Sequence, residues 1–178
     1  MNITVYLAAS MGGDQMYVYE AKTLGKWIGE NGHRLIYGGS KIGLMGILAD
    51  SVLEHGGEVI GIEPAFFLKN NMQHDGLTQM IVTDTIEERR TKRIEMGDAF
   101  IAFPGGTGTL EEITEVMSKV SLGHLDKPCI LYNLNGYYDG LKAQLAHMID
   151  LGLSSEERQQ GICFAKNLGD IQRIICCK

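Results

Sequence analysis

The residues best suited to chemistry lie in one stretch, Pro104-Gly105-Gly106-Thr107-Gly108-Thr109-Leu110-Glu111-Glu112. It follows an apolar run, Ala99-Phe100-Ile101-Ala102-Phe103, with the character of a buried strand. It precedes apolar residues at Leu110, Ile113, Val116, Met117 and Val120, which is helical spacing. The glycines therefore occupy a strand-to-helix turn, where backbone N–H groups and the positive end of the helix dipole can face an anion. The expectation is a phosphate cradle with an acid in the first helical turn.

Spacing excludes two common phosphate loops. A Walker A loop needs Gly-Lys-Ser/Thr at its end, and the nearest candidate, Gly38–Gly46, carries Lys41 ahead of Gly43. A dinucleotide fingerprint needs a third glycine where this chain has Glu111. The strand ending Leu131-Tyr132-Asn133 also offers no acid for a ribose hydroxyl. A mononucleotide-sized phosphate fits better than NAD or FAD, and no cofactor is expected. Glu112 has two readings at this point. Thr109 and Glu112 have capping-box spacing, which would bond Glu112 to its own helix start. A carboxylate in that place could equally meet a cationic transition state. Glu111 lies about 100° further round the helix.

The cation that a phosphate and two acids call for is the run Arg89-Arg90-Thr91-Lys92-Arg93. Arg89 and Arg90 fall near the start of a helix and suit bidentate phosphate contacts. Lys92 and Arg93 read as a solvated face, with Glu88–Lys92 as an i,i+4 pair. His33, His55, His74, His124 and His147 have no metal-ligand spacing, so no metal is expected. No Gly-x-Ser-x-Gly elbow is present. Tyr132, Tyr137 and Tyr138 read as packing. Met96 and Met117 read as core, with the floor of a purine pocket as a second use.

The elements that must position these groups alternate along the chain. Strands are expected at 2–9, 34–37, 58–62, 78–82, 98–103, 128–133 and 162–165. Helices fall between them, the first capped by Asp14 and the helix after the fourth strand by a Thr85…Glu88 capping box. Alternation of this kind is the signature of an α/β fold with a doubly wound parallel sheet and helices on both faces. With 178 residues and no linker or repeat, a single domain over 1–178 is expected. Ligands of such sheets bind outside the carboxyl ends of the strands. Three Gly-rich turns fall there: Ser10–Gly13, Gly38–Gly46 and Gly105–Thr109. Residues 63–77 are irregular, with Phe66, Phe67 and Leu68 expected under the sheet edge and Lys69–Gly76 as a mobile polar loop near a site.

The net charge of −6 argues against nucleic-acid binding. No apolar run approaches a membrane span, and the chain enters a strand pattern without a basic leader. Cys129, Cys163, Cys176 and Cys177 form no C-x-x-C pair, and a non-catalytic role in a cytoplasmic protein is expected.

The Pro104–Glu112 stretch resembles the P-G-G-x-G-T-x-x-E motif of the LOG (LONELY GUY) family, also called "possible lysine decarboxylase". Arg89-Arg90 stands where that family has an Arg-Lys pair. Tyr37-Gly38-Gly39-Ser40 with Gly43-Leu44-Met45-Gly46 is similar to its Y-G-G-G/S…G-L-M-G segment. The resemblance runs from the first strand to about residue 150. It implies a Rossmann-like fold, a homodimer and a phosphoribohydrolase. Such enzymes split a cytokinin riboside 5′-monophosphate or AMP into free base and ribose 5-phosphate. By position it implies Arg89 and Glu112 as the catalytic pair. It also implies a substrate-binding set of Ser10, Gly39, Arg90, Gly105, Gly106, Thr107, Gly108, Thr109, Leu110, Glu111 and Ser118. Two departures stand out: Arg90 replaces a lysine, and Asn71 falls where some members carry a substrate-contacting acid. No lysine is set for Schiff-base chemistry. The competing reading is a non-catalytic nucleotide or molybdenum-cofactor carrier on the same fold, which needs the cradle but not the Arg89/Glu112 pair.

Overall fold

The computed structural model describes residues 1–176, with the side chains of Lys69 and Asn70 left aside; Cys177 lies outside the described residues. The chain is an α/β protein of the Rossmann-like class, with parallel strands and intervening helices. It divides into two compact units, Met1–Asp98 and Ala99–Lys178.

The first unit contains β1 (Asn2–Tyr6), α1 (Gln15–Glu30), β2 (Arg34–Tyr37), α2 (Gly43–Glu54) and β3 (Glu58–Pro64). A 3-10 helix, Ala65–Asn70, leads to β4 (Gln79–Thr83) and α3 (Ile86–Met96). The strands run outward from β1 to β4, each parallel to the next. Right-handed crossovers put α1 and α2 on one face, and α3 returns along the other. The alternation of strand side chains agrees with this. Ile36, Ile60 and Ile62 share a buried cluster with Ile81 and with Met96 of α3. Full burial of each such side chain contributes about 2 kcal/mol. Met96 is thus committed to the core rather than to a purine pocket. On the opposite face the Ser51 hydroxyl donates to the Lys22 carbonyl (2.7 Å) and ties α2 to α1.

Both expected caps form. The Asp14 carboxylate accepts the Met16 N–H (2.9 Å), and Thr85 Oγ1 accepts the Glu88 N–H (3.1 Å). The Glu88 carboxylate takes the N–H of Asp84 (2.9 Å), not Lys92. Two apolar side chains depart from expectation. Phe66 and Phe67 stack on each other and remain 46% and 41% exposed, because the 3-10 helix turns them outward from the end of β3.

The second unit contains β5 (Ala99–Ala102), α4 (Thr107–Ser121), β6 (Cys129–Tyr132), α5 (Asp139–Asp150), α6 (Glu156–Gln159), β7 (Ile162–Ala165) and α7 (Leu168–Cys176). β5, β6 and β7 are parallel neighbours in that order. Cys129 is buried in β6, which pushes its thiol well above the ordinary range and away from nucleophilic use. Among the described residues, no helix is long and apolar enough to cross a membrane.

Candidate active site

In the second unit the glycine stretch forms the turn from β5 into α4. The helix begins at Thr107, with Gly106 as its N-cap residue. Its first backbone bond runs from the Leu110 N–H to the Gly106 carbonyl (3.1 Å). The amides of Thr107, Gly108 and Thr109 therefore face out of the helix end. Gly106, as the N-cap residue, has no side chain with which to cap that end. Gly106, Thr107 and Gly108 are exposed, and neither glycine has an atom within 4 Å of where a Cβ would stand. An anion can approach the backbone directly.

Gly105 serves a different purpose. A Cβ there would lie 2.2 Å from Thr109 Oγ1, so the buried Thr109 packs where a side chain would be. This close approach sets the tight exit from β5. Tyr137, read from sequence as packing, donates its hydroxyl to the Gly105 carbonyl (2.5 Å) and so touches the loop. Tyr138 beside it is buried and donates to the Phe103 carbonyl (2.8 Å). The aromatic pair steadies the turn from the outside. Only the Tyr-Tyr repeat signals it in the sequence.

The position of the helix start corrects two expectations. Thr109 is the third residue of α4 and not its cap, so the capping-box reading of Glu112 does not apply. Glu111 and Glu112 also lie in the second turn, and no acid occupies the first. Leu110 and Glu112 stand about 200° apart around the helix. Leu110 lines an apolar cavity of about 400 Å³ with Tyr137, Tyr138 and Leu141, and the turn residues Gly105, Gly106 and Thr107 border the same cavity. Ser118 is exposed on α4, about 16 Å along the axis from Thr107. The structure does not bring it to the glycine turn. Met117 is buried in the same helix.

In the first unit the other two Gly-rich turns meet at the carboxyl ends of β1 and β2. The Ser10 carbonyl accepts the Leu44 N–H at the start of α2 (3.3 Å). Arg89, in the first turns of α3, donates Nε–H to the Ile62 carbonyl at the end of β3 (2.9 Å). Its Nη2 lies 2.9 Å from where a Cβ of Gly38 would be, so the glycine makes room for the guanidinium. Gly39 follows in the same turn. Arg90 faces Glu87 at 3.8 Å, a loose i,i+3 pair of little strength. Ser10, Gly39 and Arg89 thus gather at one strand edge.

Arg93 corrects the solvated-face reading. It is 2% exposed, with Nη2 donating to the Val5 carbonyl (3.0 Å) and the guanidinium carbon 4.5 Å from the centre of the Tyr6 ring. The polar loop is also tied down rather than loose. The Met72 carbonyl accepts the Lys41 N–H (2.8 Å), His74 N–H donates to Gly39 (2.9 Å), and Gln73 bridges Ser40 antiparallel. Gln73 Nε2 donates to the buried Glu63 carboxylate (2.8 Å). The His74 ring accepts the Gly76 N–H at Nδ1 (3.0 Å) and therefore donates from Nε2 to Asp50 (2.8 Å). Residues 71–76 form a strap over the Gly38–Lys41 turn. Asn71 enters it with φ 50°. Beneath it the Tyr37 hydroxyl donates to Ser40, with its ionisation opposed first by burial and then by Asp50 and Glu63. Among the described residues, no group of His, Cys, Asp and Glu is arranged to hold a metal.

The family model "Possible lysine decarboxylase" matches residues 45–175. A cytokinin riboside 5′-monophosphate phosphoribohydrolase from Rhodococcoides fascians is 37% identical over 168 residues, covering 94% of this chain and 85% of that protein. The chain belongs to the LOG family. The rice enzyme called LOG, from Oryza sativa subsp. japonica, is 34% identical over 92% of this chain and 67% of its own length. Solved structures support the fold alone. The molybdenum cofactor binding protein of Rippkaea orientalis superposes with a TM-score of 0.75 at 23% identity, covering 99% of this chain and 95% of that one. The molybdenum cofactor carrier protein of Chlamydomonas reinhardtii gives 0.70 at 19% identity, covering 98% of both.

Proposed function

We propose that this LOG-family protein hydrolyses the N-glycosidic bond of a purine or cytokinin riboside 5′-monophosphate, AMP included, giving free base and ribose 5-phosphate. The observation that carries this reading is the open start of α4, three outward amides on a glycine turn, in a chain that shares its family with phosphoribohydrolases. The amides of Thr107, Gly108 and Thr109 hold the 5′-phosphate. Loss of the base from ribose passes through an oxocarbenium-like state. Glu112 stabilises that charge and takes a proton from the attacking water. The water oxygen bonds to C1′ as the C1′–N bond breaks, and the proton taken up from water balances the one the base leaves with. Arg89, fixed by Ile62 and Gly38, orients the nucleotide and assists the leaving base. No cofactor or metal enters the scheme.

We also propose that residues 1–178 act as one cytoplasmic domain and pair as a homodimer. Support for pairing comes from the exposed Leu110 and Leu122 at the two ends of α4, apolar surface that a second copy would cover. Light scattering on the purified protein checks this, and a monomeric mass at micromolar concentration contradicts it.

The test of function is incubation with AMP, N6-isopentenyladenosine monophosphate and the two free nucleosides, followed by chromatography of released base. Release from monophosphates but not nucleosides is expected. Tight binding of a monophosphate without release would instead support a carrier.

A further inference from the structure

Arg93 is among the largest fully buried side chains in the protein, and nothing in the proposed reaction uses it. A buried guanidinium is an expensive way to fill space, since an apolar side chain of similar volume is often as stable or more so. Its contacts show what else it supplies. The Arg93 carbonyl accepts the Thr4 hydroxyl (3.1 Å), Nη2 donates to the Val5 carbonyl (3.0 Å), and the guanidinium lies over the Tyr6 ring at 4.5 Å. One residue of α3 therefore grips three consecutive residues of β1. Helical side chains lean toward their own N-terminus, so the grip runs up β1 toward its carboxyl end. Apolar contacts would let a helix slide on a sheet. The planar donor fork of arginine fixes both height and rotation.

Arg89 lies four residues earlier on the same helix, about 6 Å up the axis and on the same face. Its Nε–H is aimed at the Ile62 carbonyl and its Nη2 at the space left by Gly38. Both contacts require α3 to sit at one height on the sheet. We propose that Arg93 is a positioning residue for the reaction, holding α3 in register on β1 so that Arg89 meets the nucleotide correctly. The role rests on the function assigned above to Arg89.

The test combines kinetics and melting on the full chain, with N6-isopentenyladenosine monophosphate and AMP as substrates. Arg93→Met is expected to lower kcat at least tenfold, as a misplacement of about 1 Å can. Its Tm should stay the same or rise. Arg93→Lys, which can still donate to Val5, should recover part of the loss. Thr4→Val, which removes the bond to the Arg93 carbonyl, should lower kcat severalfold. In an Arg89→Ala background Arg93→Met should have no further effect, because it acts through the missing residue. An equal loss in both backgrounds, a wild-type kcat in Arg93→Met, or a parallel fall of kcat and Tm overturns the proposal. Should Arg93→Met fail to fold, Thr4→Val in the two backgrounds decides by the same criterion. Absence of any turnover by the wild type defeats the proposed function and this role with it. Wild-type turnover with an unaffected Arg93→Met defeats this role alone.

Discussion

Thr85 and Glu88 close the start of α3: the threonine hydroxyl takes the Glu88 N–H and the glutamate takes the Asp84 N–H. At α4 the same spacing, Thr109 and Glu112, has slipped inside the helix, and Gly106 stands at the cap with nothing to offer. One helix end is thus capped by its own side chains, and the other begins at a glycine. The difference comes from two residues placed ahead of the threonine. Thr107 and Gly108 adopt helical backbone, which moves the first turn upstream and leaves Glu112 in the second. A closed end gives stability, worth about 1 kcal/mol for a threonine cap. The proposed anion site would use the end that gives this up. Arg89 and Arg93 make a parallel contrast on α3, one half-buried at a strand edge and the other sealed against β1.

The largest effect expected is on chemistry at the open helix. Glu112→Gln should lower kcat by about 10²–10⁴-fold, whereas Glu88→Gln at the closed helix should leave it near the wild-type value. Steady-state kinetics on both variants checks this. Equal losses would erase the distinction between the two glutamates. Gly105→Ala drives a Cβ against Thr109 and should cost about 1–3 kcal/mol of stability along with most of the turnover. Gly108→Ala meets no neighbour and should melt at or above the wild-type temperature, with a raised KM as the methyl crowds the ligand. Thermal melts and KM values separate the two glycines.

A smaller effect is expected at the closed end. Thr85→Ala should cost about 1 kcal/mol, a Tm shift of roughly 2–4 °C for a chain of this size, with turnover little changed. A kinetic loss exceeding the stability loss would give Thr85 a part in the site. The smallest is at Tyr137. Removal of its hydroxyl in Tyr137→Phe deletes the bond to Gly105, worth about 0.5–1.5 kcal/mol. A modest rise in KM should accompany it.

Much of this was legible in the residues because the signals were local. Alternating apolar runs mark every strand, and Asp14 and Thr85 each carry a side chain that caps. The α4 start was less legible because its cap is a glycine, and a glycine cap leaves no letter to distinguish it from the turn before. Arg93 reads as solvated because it ends a run in which Arg89, Arg90 and Lys92 are also charged. Only the height of α3 on β1 turns it inward. The strap over Gly39 is built largely from backbone bonds of Met72 and His74, which any residues there could make, so its letters say little. Hydrophobicity alone places Phe66 and Phe67 inside, and the 3-10 turn after Pro64 overrides it.

The central claim is that the α4 start holds the substrate's 5′-phosphate. It is tested most directly by titrating isotopically labelled protein with ribose 5-phosphate and following backbone amide resonances. Saturable shifts at Thr107, Gly108 and Thr109, larger than those at Ile86, Glu87 and Glu88, are the predicted result. Unmoved α4 amides, or equal movement at both helix starts, would contradict it.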